Sequence, residues 1–260
     1  MEVPLLTAEE KRKLAIRIIA ESTTSLVSSL VDITGPETAV EVMRASFEHA
    51  GRATAALLVQ SLPPHAGDDL TRIQLILLQS NHCFSDGGTR NAWVSDQAAT
   101  AEVEDCTYSG GPPELCTGIC DSGSNGVCRF VNPEYEMKML EMQTRGYPRC
   151  LWVVRRKGSP ATAADTARQR RLEPFLGEEE ARAIQLQYLG EFWVLVTRGF
   201  LDTVEERAAF RVIEPCRRLM GLRLGLSLRP AGPIGAGGLE EAARLVRLVG
   251  ECLGQECTPL

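Results

Sequence analysis

Apolar positions near the start of the chain fall at helical spacing. Leu14, Ile18, Ile19, Leu26 and Leu30, with Ser22 among them, recur every three or four residues, which marks one buried helix face. Ahead of them Thr7-Ala8-Glu9-Glu10 has the form of a capping box, in which a hydroxyl and a carboxylate satisfy amides that the first turn leaves free. A first helix of about six turns is expected, closed by the Gly35-Pro36 break. Val40, Met43, Phe47, Ala50, Ala53, Ala56 and Leu57 predict a second helix, in which Gly51 allows a close approach, and Leu62-Pro63-Pro64 ends it. Residues 70–79 read as a third helix, followed by the polar run Ser85-Asp86-Gly87-Gly88.

From Trp93 the period changes to two. Ala99, Ala101 and Val103 alternate with Thr100, Glu102 and Glu104, predicting a half-buried strand that leads into Cys106. A second strand is expected over residues 150–154, and between the two Pro112-Pro113-Glu114-Leu115-Cys116 opens a short helix. Residues 1–157 are therefore expected to be α+β: N-terminal helices packed on a small antiparallel sheet with a cysteine-rich insert. Residues 158–173 are small, polar and charged, and read as a linker. Residues 174–260 then read as a second, all-helical block, with helices over 181–199, 204–228 and 239–252. Laying this block on the first helices sets Glu191 on Glu21, Asp202 on Asp32, Val212 on Val42 and Gly221 on Gly51, so it reads either as a degenerate repeat of residues 4–90 or as chance helical periodicity. Its roles would be to scaffold the first half or to form a homodimer surface.

Composition narrows the function classes. An apolar fraction of 44% supplies a core, while a net charge of −6 argues against a general nucleic-acid binder, which needs a positive face. Arg155-Arg156-Lys157 and Arg168-Gln169-Arg170-Arg171 read as solvated charge. The first residues lack the pattern of a signal peptide, and no run reaches about 18 uninterrupted apolar residues, so a cytoplasmic protein with no membrane partner is expected. There thiols stay reduced, and the nine cysteines suggest metal or thiol chemistry before disulfides.

Five of them cluster: Cys106, Cys116, Cys120 and Cys128, then Cys150. The paired ligand spacings of common structural zinc sites are absent, yet this set could hold zinc or, less simply, an iron–sulfur cluster. Cys116 and Cys120 would share one helix face, gripping a metal or flanking a reactive centre. The plainer alternative is small buried hydrophobes, as free cysteines often are, and it weighs most for Cys216, Cys252 and Cys257.

The succession Cys106, Pro113-Glu114-Leu115-Cys116, Cys120-Asp121, Phe130-Val131-Asn132-Pro133-Glu134, Leu140, Thr144, Gly146, Cys150 and Trp152 resembles the closing half of the L-2-aminothiazoline-4-carboxylate hydrolase family. Gly35-Pro36-Glu37-Thr38-Ala39 and His49-Ala50-Gly51 resemble its helical lead-in. Thr107 stands where that family often has proline, and Ser122-Gly123-Ser124-Asn125-Gly126 is a small, flexible stretch where bulkier residues are usual. The resemblance implies hydrolytic opening of a small cyclic amidine or thiazoline at a C–N or C–S bond. Cys120 would then be the nucleophile, or Cys116 and Cys120 would hold a metal that activates water, with Asp121 or His82 as base. Arg145 or Arg129 would clamp a substrate carboxylate. Against these roles, Asp121 also suits a turn, His82 a helix C-terminus, the two arginines plain surface, and Trp93 and Trp152 the core. The ending from Thr144 to Val154 also resembles the terminal hairpin of 4-vinyl-reductase-type domains, which implies a non-catalytic sensor that binds a small molecule or metal.

Overall fold

A computed structural model describes residues 7–84, 91–160 and 170–185, with single helical positions beyond. Helix α1 is Ala8–Thr34 and its capping box is formed: the Thr7 hydroxyl accepts from Glu10 N at 3.2 Å, and the Glu10 carboxylate accepts from Thr7 N at 2.8 Å. It runs to 27 residues, longer than anticipated, because only Gly35, at φ 82°, leaves helical geometry; its N–H closes the last turn on Val31 O. The stretch from Arg12 to Thr34 is long and apolar enough to cross a membrane by length and composition. In the fold its apolar face is covered, with Leu26, Val27 and Leu30 packed on Ala39, Val42 and Met43 of the next helix.

Helix α2 is Pro36–Leu58, with proline at its first position, and a single 3-10 turn, Val59–Ser61, precedes Leu62-Pro63. Its buried face is rotated from the predicted stripe: Val42, Ala55 and Leu58 are buried while Leu57 is exposed. The helix serves two neighbours at once, α1 on one side and the cysteine-bearing helix on the other, so a single stripe does not describe it. Helix α3, Asp69–Phe84, continues past the predicted end at residue 79 and is capped by Asp68, whose carboxylate accepts from Thr71 N at 2.8 Å.

Strands β1 (Asn91–Val94), β2 (Ala98–Val103), β3 (Tyr135–Glu141), β4 (Cys150–Arg156) and β5 (Arg170–Arg171) form an antiparallel sheet in the order β3-β4-β2-β1-β5. Helices packed on a small antiparallel sheet make the fold α+β. Because β2 lies between β1 and β4, Thr100 is buried as well as the alanines, and Glu102 alone in the strand is half-exposed. The principal core joins α3 (Leu70, Ile73, Leu77) to one sheet face (Ala99, Ala101, Trp152, Val154). Within the segment 158–173, read above as a linker, Arg170–Arg171 pair with β1, and Leu172 beyond them is buried. Residues 178–185 are helical. The repeat, the dimer surface, the helices over 204–228 and 239–252, and Cys216, Cys252 and Cys257 fall outside the described residues.

One correction concerns residues 122–126. They are not a flexible loop but the start of helix α4, Ser122–Val131, which crosses α2. A Cβ at Gly126 would collide with the carbonyl of Glu48, coming 3.0 Å from its carbon and 3.2 Å from Arg52 N; a Cβ at Gly51 would strike the carbonyl of Gly123. The residues are small because two helix backbones touch here, in line with the close approach that Gly51 predicts.

Candidate functional site

The site is assembled where β2, the β3–β4 hairpin and the cysteine-bearing helix converge. Val103 ends β2 opposite Cys150, the first residue of β4, and the chain then turns through Cys106. Gln143 ties these pieces together. Its side-chain oxygen accepts from Cys106 N at 2.9 Å, its amide donates to the carbonyls of Glu104 and Pro148, and its own N–H points at Cys150 Sγ at 3.4 Å. Gly146, in the left-handed region at φ 86°, lets the hairpin return immediately afterwards.

On the facing side, Pro112-Pro113 opens a helix as expected, but it does not stop after a turn. It passes through a π-helical segment, Cys116–Asp121, into α4. Such widened turns occur frequently at functional sites. The Ser122 hydroxyl donates to Thr117 O at 3.2 Å, satisfying a carbonyl within the wide turn. Asn125 then pairs with β3 as a strand would: its amide donates to Met137 O at 3.1 Å, and its oxygen accepts from Met137 N at 3.0 Å.

Between these elements and α2 and α3 lies a cavity of about 170 Å³. Phe47, Leu77, Ile119, Met139 and Trp152 supply apolar wall; Thr54, Ser80, Asn81, Thr107, Tyr108 and Ser124 add uncharged polar groups. Cys106, Cys116, Cys120 and Cys150 share the wall, all as free thiols. Among the described residues no Asp, Glu, His, Lys or Arg lines the cavity.

The four thiols share one patch of the wall, where each affects the titration of its neighbours. Cys116 sits where the donors concentrate: the thiols of Cys120 and Cys150 reach it, and Thr144 Oγ1 lies 3.0 Å from its sulfur. These bonds hold its thiol well below the usual range against the opposing effect of burial. Cys120 and Cys150 are both raised, by their neighbouring thiols first and by desolvation second. Cys106 is lowered by Cys150 and the Tyr108 amide.

The anticipated site residues divide between the cavity wall and positions outside it. Cys120, the anticipated nucleophile, lines the cavity together with Cys116. Cys128 is turned into the core on the far side of α4, where burial pushes its thiol up to about 12. Asp121 is half-buried outside the cavity, within 3.4 Å of the Asn125 amide, and burial raises its carboxyl. His82 is half-buried on α3 and outside the cavity lining; burial lowers its imidazole and the charge of Arg12 adds to that effect. Arg129 is exposed and paired with Glu48, and Arg145 is exposed on the hairpin, so neither clamps a group in the cavity. Among the described residues no group of three or more His, Cys, Asp or Glu side chains is arranged to hold a metal ion. Gln143 and Asn125 are site-building residues that spacing did not reveal, since amides carry no periodic signal.

No protein-family model matches the chain, and no curated protein matches it.

Proposed function

We propose that the chain is a small-molecule-binding domain whose cavity takes an uncharged, largely apolar ligand. The observation that carries this reading is the cavity itself: about 170 Å³ of space beside the sheet, with apolar side chains and neutral polar groups in its lining and no ionised group outside the thiol cluster. For scale, an engineered apolar cavity of about 150 Å³ holds benzene, so a ligand of one or two rings is the right size. A charged ligand would lose its hydration and find no counter-charge, which costs several kcal/mol (~2–7 even for an unpaired neutral polar group).

The test is calorimetric titration with two rings of similar size, cyclohexanone and cyclohexanecarboxylate. The neutral ketone binds and raises the melting temperature, while the carboxylate does neither; preferential binding of the carboxylate contradicts the reading. Ala50→Leu, which pushes a side chain into the cavity, abolishes ketone binding in a protein that remains folded by circular dichroism.

The thiol cluster favours a second reading, a cysteine-dependent hydrolase acting on a thiazoline-type ring. Its support is the concentration of donors on Cys116. Against it, Asp121 and His82 stand outside the cavity, so a base to activate water is missing from the lining. Thiazoline hydrolysis that disappears in Cys116→Ser would establish this reading in place of the first.

A further inference from the structure

We infer that the cavity captures electrophilic small molecules covalently, by addition of Cys116 to the activated carbon–carbon double bond of a neutral α,β-unsaturated ketone or aldehyde. The inference rests on the pocket reading above and names its ligand class.

Three observations converge on it. First, Cys116 lines the cavity together with Cys106, Cys120 and Cys150, so a ligand filling that space lies against sulfur. Second, the Thr144 hydroxyl lies 3.0 Å from the Cys116 sulfur, where it can donate to a thiolate, and the Cys120 and Cys150 thiols share the same wall. Donors of this kind favour the thiolate, the nucleophilic form of cysteine. Third, the lining offers what an addition needs and lacks what a hydrolysis needs: a nucleophile and neighbouring thiol protons are present, while a carboxylate, imidazole or cationic clamp is absent among the described lining residues. The apolar wall suits an uncharged enone or enal, whose two functional ends are a soft carbon for sulfur and an oxygen for a hydroxyl or amide.

The step balances within the protein and its ligand. The Cys116 thiolate forms a bond to the β-carbon, and the π pair of the double bond moves through the α-carbon to the carbonyl oxygen as an enolate. The Cys120 thiol, which shares the cavity wall with Cys116, delivers its proton to the α-carbon as the carbonyl re-forms. Sulfur and hydrogen have added across the double bond, no electrons have entered or left, and the Cys120 thiolate recovers a proton from water. Thr144 is a positioning residue in this scheme, orienting and stabilising the attacking sulfur.

The experiment uses the full chain with cyclohexenone as the electrophile and saturated cyclohexanone as an unreactive competitor. Adducts are located by peptide mass spectrometry, and rates are followed against pH. Expected is one adduct, on Cys116, forming at a rate that saturates with cyclohexenone, slows with cyclohexanone, and persists near pH 6, where an ordinary thiol is about 99% protonated. Cys116→Ser eliminates the adduct. Thr144→Val keeps the shape, slows the reaction roughly tenfold at that pH and displaces the rate profile upwards, as loss of a hydrogen bond to a charged sulfur requires. Modification of Cys106 or Cys120 in preference to Cys116, or a rate that never saturates, overturns the inference. If cyclohexanone binds but cyclohexenone gives no adduct, capture is overturned while the pocket reading stands. If neither ring binds and no adduct forms, both fall.

Discussion

Replacing Gly126 by alanine isolates the contact on which the site depends. In an ordinary helix interior this change stabilises by about 1 kcal/mol, because alanine loses less backbone freedom than glycine. Here the added methyl points into α2, and the atoms it meets are backbone: the carbonyl of Glu48, whose carbon would be 3.0 Å away, and Arg52 N at 3.2 Å. Backbone cannot rotate aside as a side chain does, so α4 must move away from α2. Overpacking of this kind costs about 1–3 kcal/mol, and a clash with rigid backbone falls at the upper end, so after the propensity gain of about 1 kcal/mol the net loss expected is about 2 kcal/mol, or roughly 4–8 °C in melting temperature for a domain of this size. Three residues earlier in the same helix, a Cβ at Gly123 would meet Phe47 O at an ordinary 3.6 Å. Gly123→Ala should therefore show the propensity gain alone and melt about 2–4 °C higher. Scanning calorimetry on the two variants reads opposite signs. If Gly126→Ala melts at or above the parent, the backbones are not in contact and the packing argument is wrong.

Three further outcomes follow from named contacts. Gln143→Ala removes the acceptor of Cys106 N and the donor to two carbonyls, so a stability loss of about 2–3 kcal/mol is expected by urea unfolding, with faster alkylation of Cys106; unchanged alkylation would show that Gln143 does not hold the loop. Gln79 is fully buried, and its oxygen accepts from both Phe175 N and Leu176 N at 2.8 Å, so Gln79→Leu should cost about 2 kcal/mol and raise amide hydrogen exchange at those two residues, which stays at parent levels if the strap is held otherwise. Burial lowers the folded imidazole of His82, so below its unfolded pKa of about 6.5 the unfolded chain binds the extra proton, and stability falls as pH drops through that window. His82→Gln flattens this part of the melting-temperature profile; an unchanged slope assigns it to other groups.

The helices were legible because apolar periodicity and capping chemistry are local. Thr7 to Glu10 and Gly35-Pro36 each act within a turn of where they stand, and both marked a boundary found in the fold. The sheet was half legible: the alternation from Ala99 to Val103 marked β2, but nothing in Arg170-Arg171 announces a strand, since its pairing with β1 depends on a partner some eighty residues away in sequence. The run from Ser122 to Gly126 misled for a physical reason. Small residues signal flexibility when solvent surrounds them and tight packing when a second helix lies across them, and the sequence alone does not show the second helix. Four of the five clustered cysteines are brought to one cavity wall, while Cys128 lies in the core. That Thr144 stands 3.0 Å from the Cys116 sulfur is set by the fold and leaves no mark in the spacing. Asp121 and His82 lie outside the cavity lining, because the direction in which a helix points a side chain is not written in its sequence neighbours.

The central claim is that the space between Trp152 and Cys116 is a binding cavity for an uncharged apolar molecule. A crystal of the protein exposed to benzene or pressurised xenon tests it without assuming any natural ligand, since apolar cavities of this size take up both. Density for the probe inside the cavity, against the indole and beside the thiol cluster, is the predicted result. A cavity that stays without probe density while crystals diffract well, or one filled by ordered water bound to its polar groups, would contradict it.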